Sequence, residues 1–167
     1  TRDGTAIVFY AGMSIVAPTS GYYYYLDGAT QNGSIYAYTI ASDLLVWSRA
    51  QEAKLRGCLL VAIVPYRSAT AEKCHEHIAP MPGTDAALAY GLMHVLIRDG
   101  LVDRDYVQRY TVGYDALAER AAAWTPERAA ETCGISTAEV LGLARDYGTV
   151  KPAAIRVNYG MQRVAGG

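Results

Sequence analysis

The chain has 167 residues, of which 51% are hydrophobic and 19% charged, and its formal net charge is −1. That length suits one domain or somewhat more, able to bury roughly 70% of the surface its unfolded form exposes, and the composition excludes a disordered chain. The near-zero charge excludes the basic footprint of a nucleic-acid binder and a polybasic membrane patch, and no run approaches the ~20 apolar residues that a membrane span needs.

Residues 1–46 are rich in Gly, Ser, Thr and Tyr, including an unbroken run from Tyr22 to Tyr25. Ala6–Tyr10 and Ser34–Ile40 have the β-branched and aromatic content of short strands. Asp27-Gly28 and Asn32-Gly33 are turn signals. A small β-rich segment is expected here.

From residue 47 the pattern changes to alternating helix and strand. Trp47–Arg56 reads as a helix, with Gly57 placed to end it. Leu59–Val64 is a continuous apolar run of the kind found in a parallel strand covered on both faces, and Pro65 stops it. A loop is expected from there to Pro82-Gly83-Thr84. Asp85–Arg98 is a helix with Leu88, Leu92 and Val95 on one face. Asp103 caps a short helix reaching Tyr110, and Tyr114–Ala123 is another. Thr125-Pro126 pairs a cap with proline at the first helical position, and Gly134 terminates that helix. Ser136-Thr137-Ala138-Glu139 is a capping box opening a helix to about Tyr147. Ala153–Asn158 reads as a final strand. Strands separated by helical crossovers define an α/β fold, a parallel sheet flanked by helices in a Rossmann-like manner, with the β-rich segment at the N-terminus. The expected division is 1–46 and 47–167.

Ligands of open parallel sheets sit beyond the carboxyl ends of the strands. Two stretches of the chain fall there. In Pro65–Lys73, Arg67, Ser68 and Thr70 can donate to phosphate or sugar oxygens. After the last strand come Asn158–Arg163. Asp85 opens a helix, where a carboxylate is either a dipole partner or an acceptor for the N–H groups of a purine. Cys74-His75-Glu76-His77 presents four potential metal ligands, but an extended chain alternates sides, so only the two histidines can share one ion, and a third ligand is not evident. No metal site is expected. Cys58, Cys74 and Cys133 form no CxxC pair and suit a reducing compartment. His94, mid-helix, and Cys133, in a last helical turn, read as packing residues. No catalytic residue is recognisable, since neither a nucleophile–base pair, a GxGxxG nor a P-loop is present.

Taken together, Trp47–Lys54, Leu60–Ser68, Thr70–Lys73, Pro82–Leu88, Met93–Ile97, Gly100-Leu101, Asp105–Val107, Tyr110–Gly113, Thr125–Ala129 and Lys151–Arg156 occur in an order that resembles the molybdopterin oxidoreductases, the group of formate dehydrogenases, nitrate reductases and dimethyl sulfoxide reductases. The resemblance spans some 120 residues. It implies the central α/β domain of the catalytic subunit, which binds a molybdopterin guanine dinucleotide carrying Mo or W. It further implies that Arg67, Ser68 and Asp85 approach the nucleotide, and that Gln162 and Arg163 approach the pterin. The implied chemistry is two-electron redox or oxygen-atom transfer in a full-length enzyme. The implied partners are the remaining domains and an iron–sulfur subunit.

Departures accompany the resemblance. The family has Asp where Val64 stands, and many members have His where Val164 stands. Its Gly-Ser-Asn-Pro motif is absent, with Tyr36–Ile40 in that neighbourhood. Tyr36 also falls about where the family places its metal ligand. The chain is therefore expected to be a piece of a longer polypeptide, inactive in isolation, in the cytoplasm or, if the parent is exported, the periplasm. The alternative is a non-catalytic structural or assembly domain derived from the same fold, associating through the strands of residues 1–46.

Overall fold

A computed structural model of the protein describes residues 53–155 apart from 69 and 151. The expected strands at Ala6–Tyr10 and Ser34–Ile40, and most of the helix from Trp47, lie outside those residues. Residues 53–55 are helical, and Gly57, at φ 91°, turns the chain away as expected.

The centre is a pair of parallel strands, β1 (Val61–Ile63) and β2 (Glu76–Ile78), in register Val61↔Glu76, Ala62↔His77 and Ile63↔Ile78. β1 is buried on both faces, as its unbroken apolar run requires. Val61 and Ile63 face one core with Ile78, while Ala62 and Val64 face a smaller one with Ala71. β2 lies within the stretch expected to be a loop. Its sequence, Glu-His-Ile, is short and polar on its exposed positions, so neither length nor hydropathy marks it. The connection from β1 to β2 is made by a three-residue 3-10 turn, Ala71–Lys73, in a crossover close to the dozen-residue minimum for parallel strands.

Five helices follow: α1 (Asp85–Arg98), α2 (Arg104–Tyr110), α3 (Tyr114–Ala122), α4 (Pro126–Cys133) and α5 (Thr137–Thr149). α1 packs against α3, α4 and α5, and α4 against α5. The larger core joins Val61, Ile63 and Ile78 to Leu88 of α1, Cys133 of α4 and Val140 of α5. Val61, Val95 and Val140 are completely buried, and each such side chain contributes about 1.5–3 kcal/mol. Leu88 and Val95 are buried and Leu92 packs against the core from its edge, as the helical spacing demands.

The helix ends follow their capping residues. The Asp103 carboxylate accepts from Tyr106 N at 2.9 Å, and the Thr125 hydroxyl accepts from Arg128 N at 3.3 Å. Ser136 and Glu139 form a reciprocal capping box, Glu139 N donating to Ser136 Oγ at 3.2 Å and Ser136 N to the Glu139 carboxylate at 2.7 Å. Gly134, at φ 68°, closes α4. α5 runs two residues past Tyr147, to Thr149. Ala153–Ile155 form no strand, and the rest of the strand expected there lies outside the described residues.

Candidate functional site

The site is built on the carboxyl ends of β1 and β2. Val64, just beyond β1, continues the ladder by donating its amide to Ile78 O at 3.1 Å. In a parallel pair the next bond would run from the amide of residue 80 to the Val64 carbonyl. Residue 80 is proline and has no N–H. His77 fills the vacancy, its Nε2–H donating to Val64 O at 3.0 Å, since a carbonyl can only accept. At the opposite end of β1, His75 Nδ1 accepts from Leu60 N at 3.0 Å, and His75 N donates to Leu60 O at 2.9 Å. The two histidines thus grip the backbone of β1 at its two ends rather than converging on one ion. Among the described residues no three His, Cys, Asp or Glu side chains are grouped to hold a metal.

The loop leaving β1 carries Arg67, exposed, and Ser68, half-buried. Ser68 Oγ accepts from Ala71 N at 3.1 Å and so opens the 3-10 turn. Its hydroxyl proton stays available to a ligand. Arg67 forms no ion pair among the described residues. Asp85, in the first turn of α1, is half-buried and likewise has no cationic partner there. Its neighbour is Cys133, whose Sγ donates to Thr84 O at 3.4 Å. Burial pushes the Cys133 thiol up, and the Asp85 charge adds to that. Gln162 and Arg163 lie outside the described residues.

A guanidinium and a carboxylate that pair with no charge among the described residues, with a hydroxyl beside the first, are groups of the kind that bind a purine nucleotide. The guanidinium suits a phosphate, and the carboxylate suits the N–H donors of a guanine edge. Val64 does not fit, because it is 4% exposed, apolar and packed with Ala62 and Ala71. The acidic acceptor of ribose hydroxyls usual near a strand end is missing from that position.

The other features are structural. His94 Nδ1 donates to Ala121 O at 3.1 Å, tying α1 to α3. Arg128 lies 4.4 Å from the centre of the Trp124 ring, whose other neighbour is Tyr90. A cavity of about 550 Å³ opens between α1, α2 and α3, lined by Met93, Leu96, Val107, Val112, Leu117 and Arg120. It borders the last turns of α1, the far end from Asp85.

No family model matches the chain. It is 37% identical over 113 residues to "Probable oxidoreductase YoaE" of Bacillus subtilis (strain 168), covering 68% of this chain and 17% of that protein. It is 30% identical over 117 residues to the F420-dependent formate dehydrogenase subunit alpha of Methanocaldococcus jannaschii, covering 70% and 17%. Among solved structures it resembles acetylene hydratase from Pelobacter acetylenicus, with a TM-score of 0.65 and 26% identity over 92% of this chain and 18% of that one. The homologues of this chain are molybdopterin oxidoreductases. Within that family the matched stretch corresponds to part of the large subunit, and the chain spans about a sixth of the relatives' length.

Proposed function

We propose that this chain is the part of a molybdopterin oxidoreductase large subunit that holds the nucleotide end of a molybdopterin guanine dinucleotide. Arg67 and Ser68 bind phosphate or sugar oxygens, and Asp85 accepts from the guanine N–H groups. Gln162 and Arg163 are proposed on the pterin side. The observation that carries this reading is the placement of two opposite charges without an ion-pair partner among the described residues, Arg67 and Asp85, on the loop and helix that follow two parallel strands at their carboxyl ends. When bound, the Mo or W centre of that group supplies two-electron redox or oxygen-atom transfer. The residues described here bind and orient. The remaining domains of the large subunit and an iron–sulfur subunit are the proposed partners, and three scattered cysteines without a CxxC pair favour the cytoplasm.

Metal analysis for Mo and W, with pterin fluorescence after oxidation, tests the reading on the full-length protein from its native source. Near-stoichiometric metal and pterin support it. Their absence favours the second reading, a non-catalytic domain of the same fold, for which the apolar Val64 speaks.

A further inference from the structure

We propose that His77 supplies the ribose acceptor that Val64 cannot. This rests on the nucleotide reading above and names one contact within it. The His77 ring reaches the carboxyl end of β1, where Nε2 donates to Val64 O at 3.0 Å. That bond fixes the tautomer. With the proton on Nε2, the neutral ring presents Nδ1 as an acceptor lone pair.

Among the described residues Nδ1 has no partner, and the bond to Val64 O is the one interaction His77's side chain makes there. The ring is half-buried, so Nδ1 sits on a held side chain that still meets solvent. The amide missing at Pro80 is what recruits the ring to this place. Ala62 and Val64, on this side of β1, pack with Ala71 into a small buried apolar cluster that offers no hydrogen-bonding side chain of its own. A ribose hydroxyl is the ligand group this acceptor suits. It is an O–H donor, and it belongs to a nucleotide whose charged ends are met by Arg67 and Asp85.

The test is equilibrium binding of guanosine 5′-monophosphate and its 2′-deoxy and 3′-deoxy counterparts to the cofactor-depleted full-length protein. Wild type is compared with His77→Leu, which loses donor and acceptor, and with His77→Gln, which keeps both. The quantity read is the ribo-to-deoxy affinity ratio within each variant, which cancels any general loss of folded protein. A ratio of about tenfold in wild type, nearly one in His77→Leu and partly restored in His77→Gln supports the contact. Wild-type binding with a ratio that His77→Leu leaves unchanged overturns it and leaves the nucleotide site standing. Failure of wild type to bind any of the three overturns the nucleotide site, and this contact with it.

Discussion

Gly91 of α1 faces Ala129 of α4 so closely that a Cβ added to the glycine would lie 2.4 Å from the Cβ of Ala129. Neither group can swing away, because both are fixed directly to helical backbone. Gly91→Ala gains ~1 kcal/mol of helix propensity, but the clash forces α1 and α4 apart, at about 1–3 kcal/mol for overpacking. The expected outcome is a net loss of stability in urea denaturation. Gly142, with nothing within 4 Å of its added Cβ, is the control, since Gly142→Ala should stabilise.

The capping box of α5 is a second test. Ser136 and Glu139 satisfy each other's backbone amides. Ser136→Ala should cost ~1 kcal/mol. Ser136→Asp, which keeps an acceptor, should cost less by the same denaturation measurement.

Thiol chemistry checks the packing of the third cysteine. Cys133 is completely buried, whereas Cys58 and Cys74 are half-exposed. Titration with a thiol-specific chromogenic reagent should modify Cys58 and Cys74 before Cys133, with Cys133 reacting only on unfolding. Burial raises the Cys74 pKa and Lys54 only partly offsets this, so its modification should accelerate as pH rises through the alkaline range. For Cys133 the folded pKa is raised, chiefly by burial. Its contribution to stability is therefore complete below the ordinary thiol range and declines as pH rises through that range, where the unfolded chain releases the proton first. Cys133→Ala should flatten that alkaline decline.

Restoring the family's acidic residue should be harmful here. Val64→Asp places a carboxylate in a spot that is 4% exposed among Ala62 and Ala71. The expected cost is at least ~2 kcal/mol for an unpaired buried charge. Burial raises the pKa of such a group, so the deficit should shrink as pH falls through the carboxylate range. Thermal melts at several pH values measure both effects.

The helices were legible in the sequence because their boundaries are set locally. Asp103, Thr125-Pro126, Gly134 and the Ser136–Glu139 box each act within four residues of themselves. β1 was legible because a strand buried on both faces must be apolar throughout. β2 was not, because only its pairing with β1 makes Glu76–Ile78 a strand. The same holds for the site. The candidates Arg67 and Ser68 come from strand-end logic, Asp85 from its place at a helix start, and all three from the family resemblance. The sequence suggests His77 only as half of an incomplete metal pair. Its actual partner, the Val64 carbonyl, is thirteen residues away. The signal that could have found it is Pro80, whose missing amide is visible as soon as the register of the two strands is known.

That proline has a geometric result. Strands that keep exchanging hydrogen bonds stay at a spacing of about 4.8 Å, which admits nothing between them. After Ile78 the second strand has no hydrogen to give, and a side chain rather than a main chain bridges the gap. Beyond that bond the two chains continue separately, one into the Pro65–Ser68 loop and the other toward α1. The ladder is thus ended by one absent hydrogen, and its last bond is made by an imidazole.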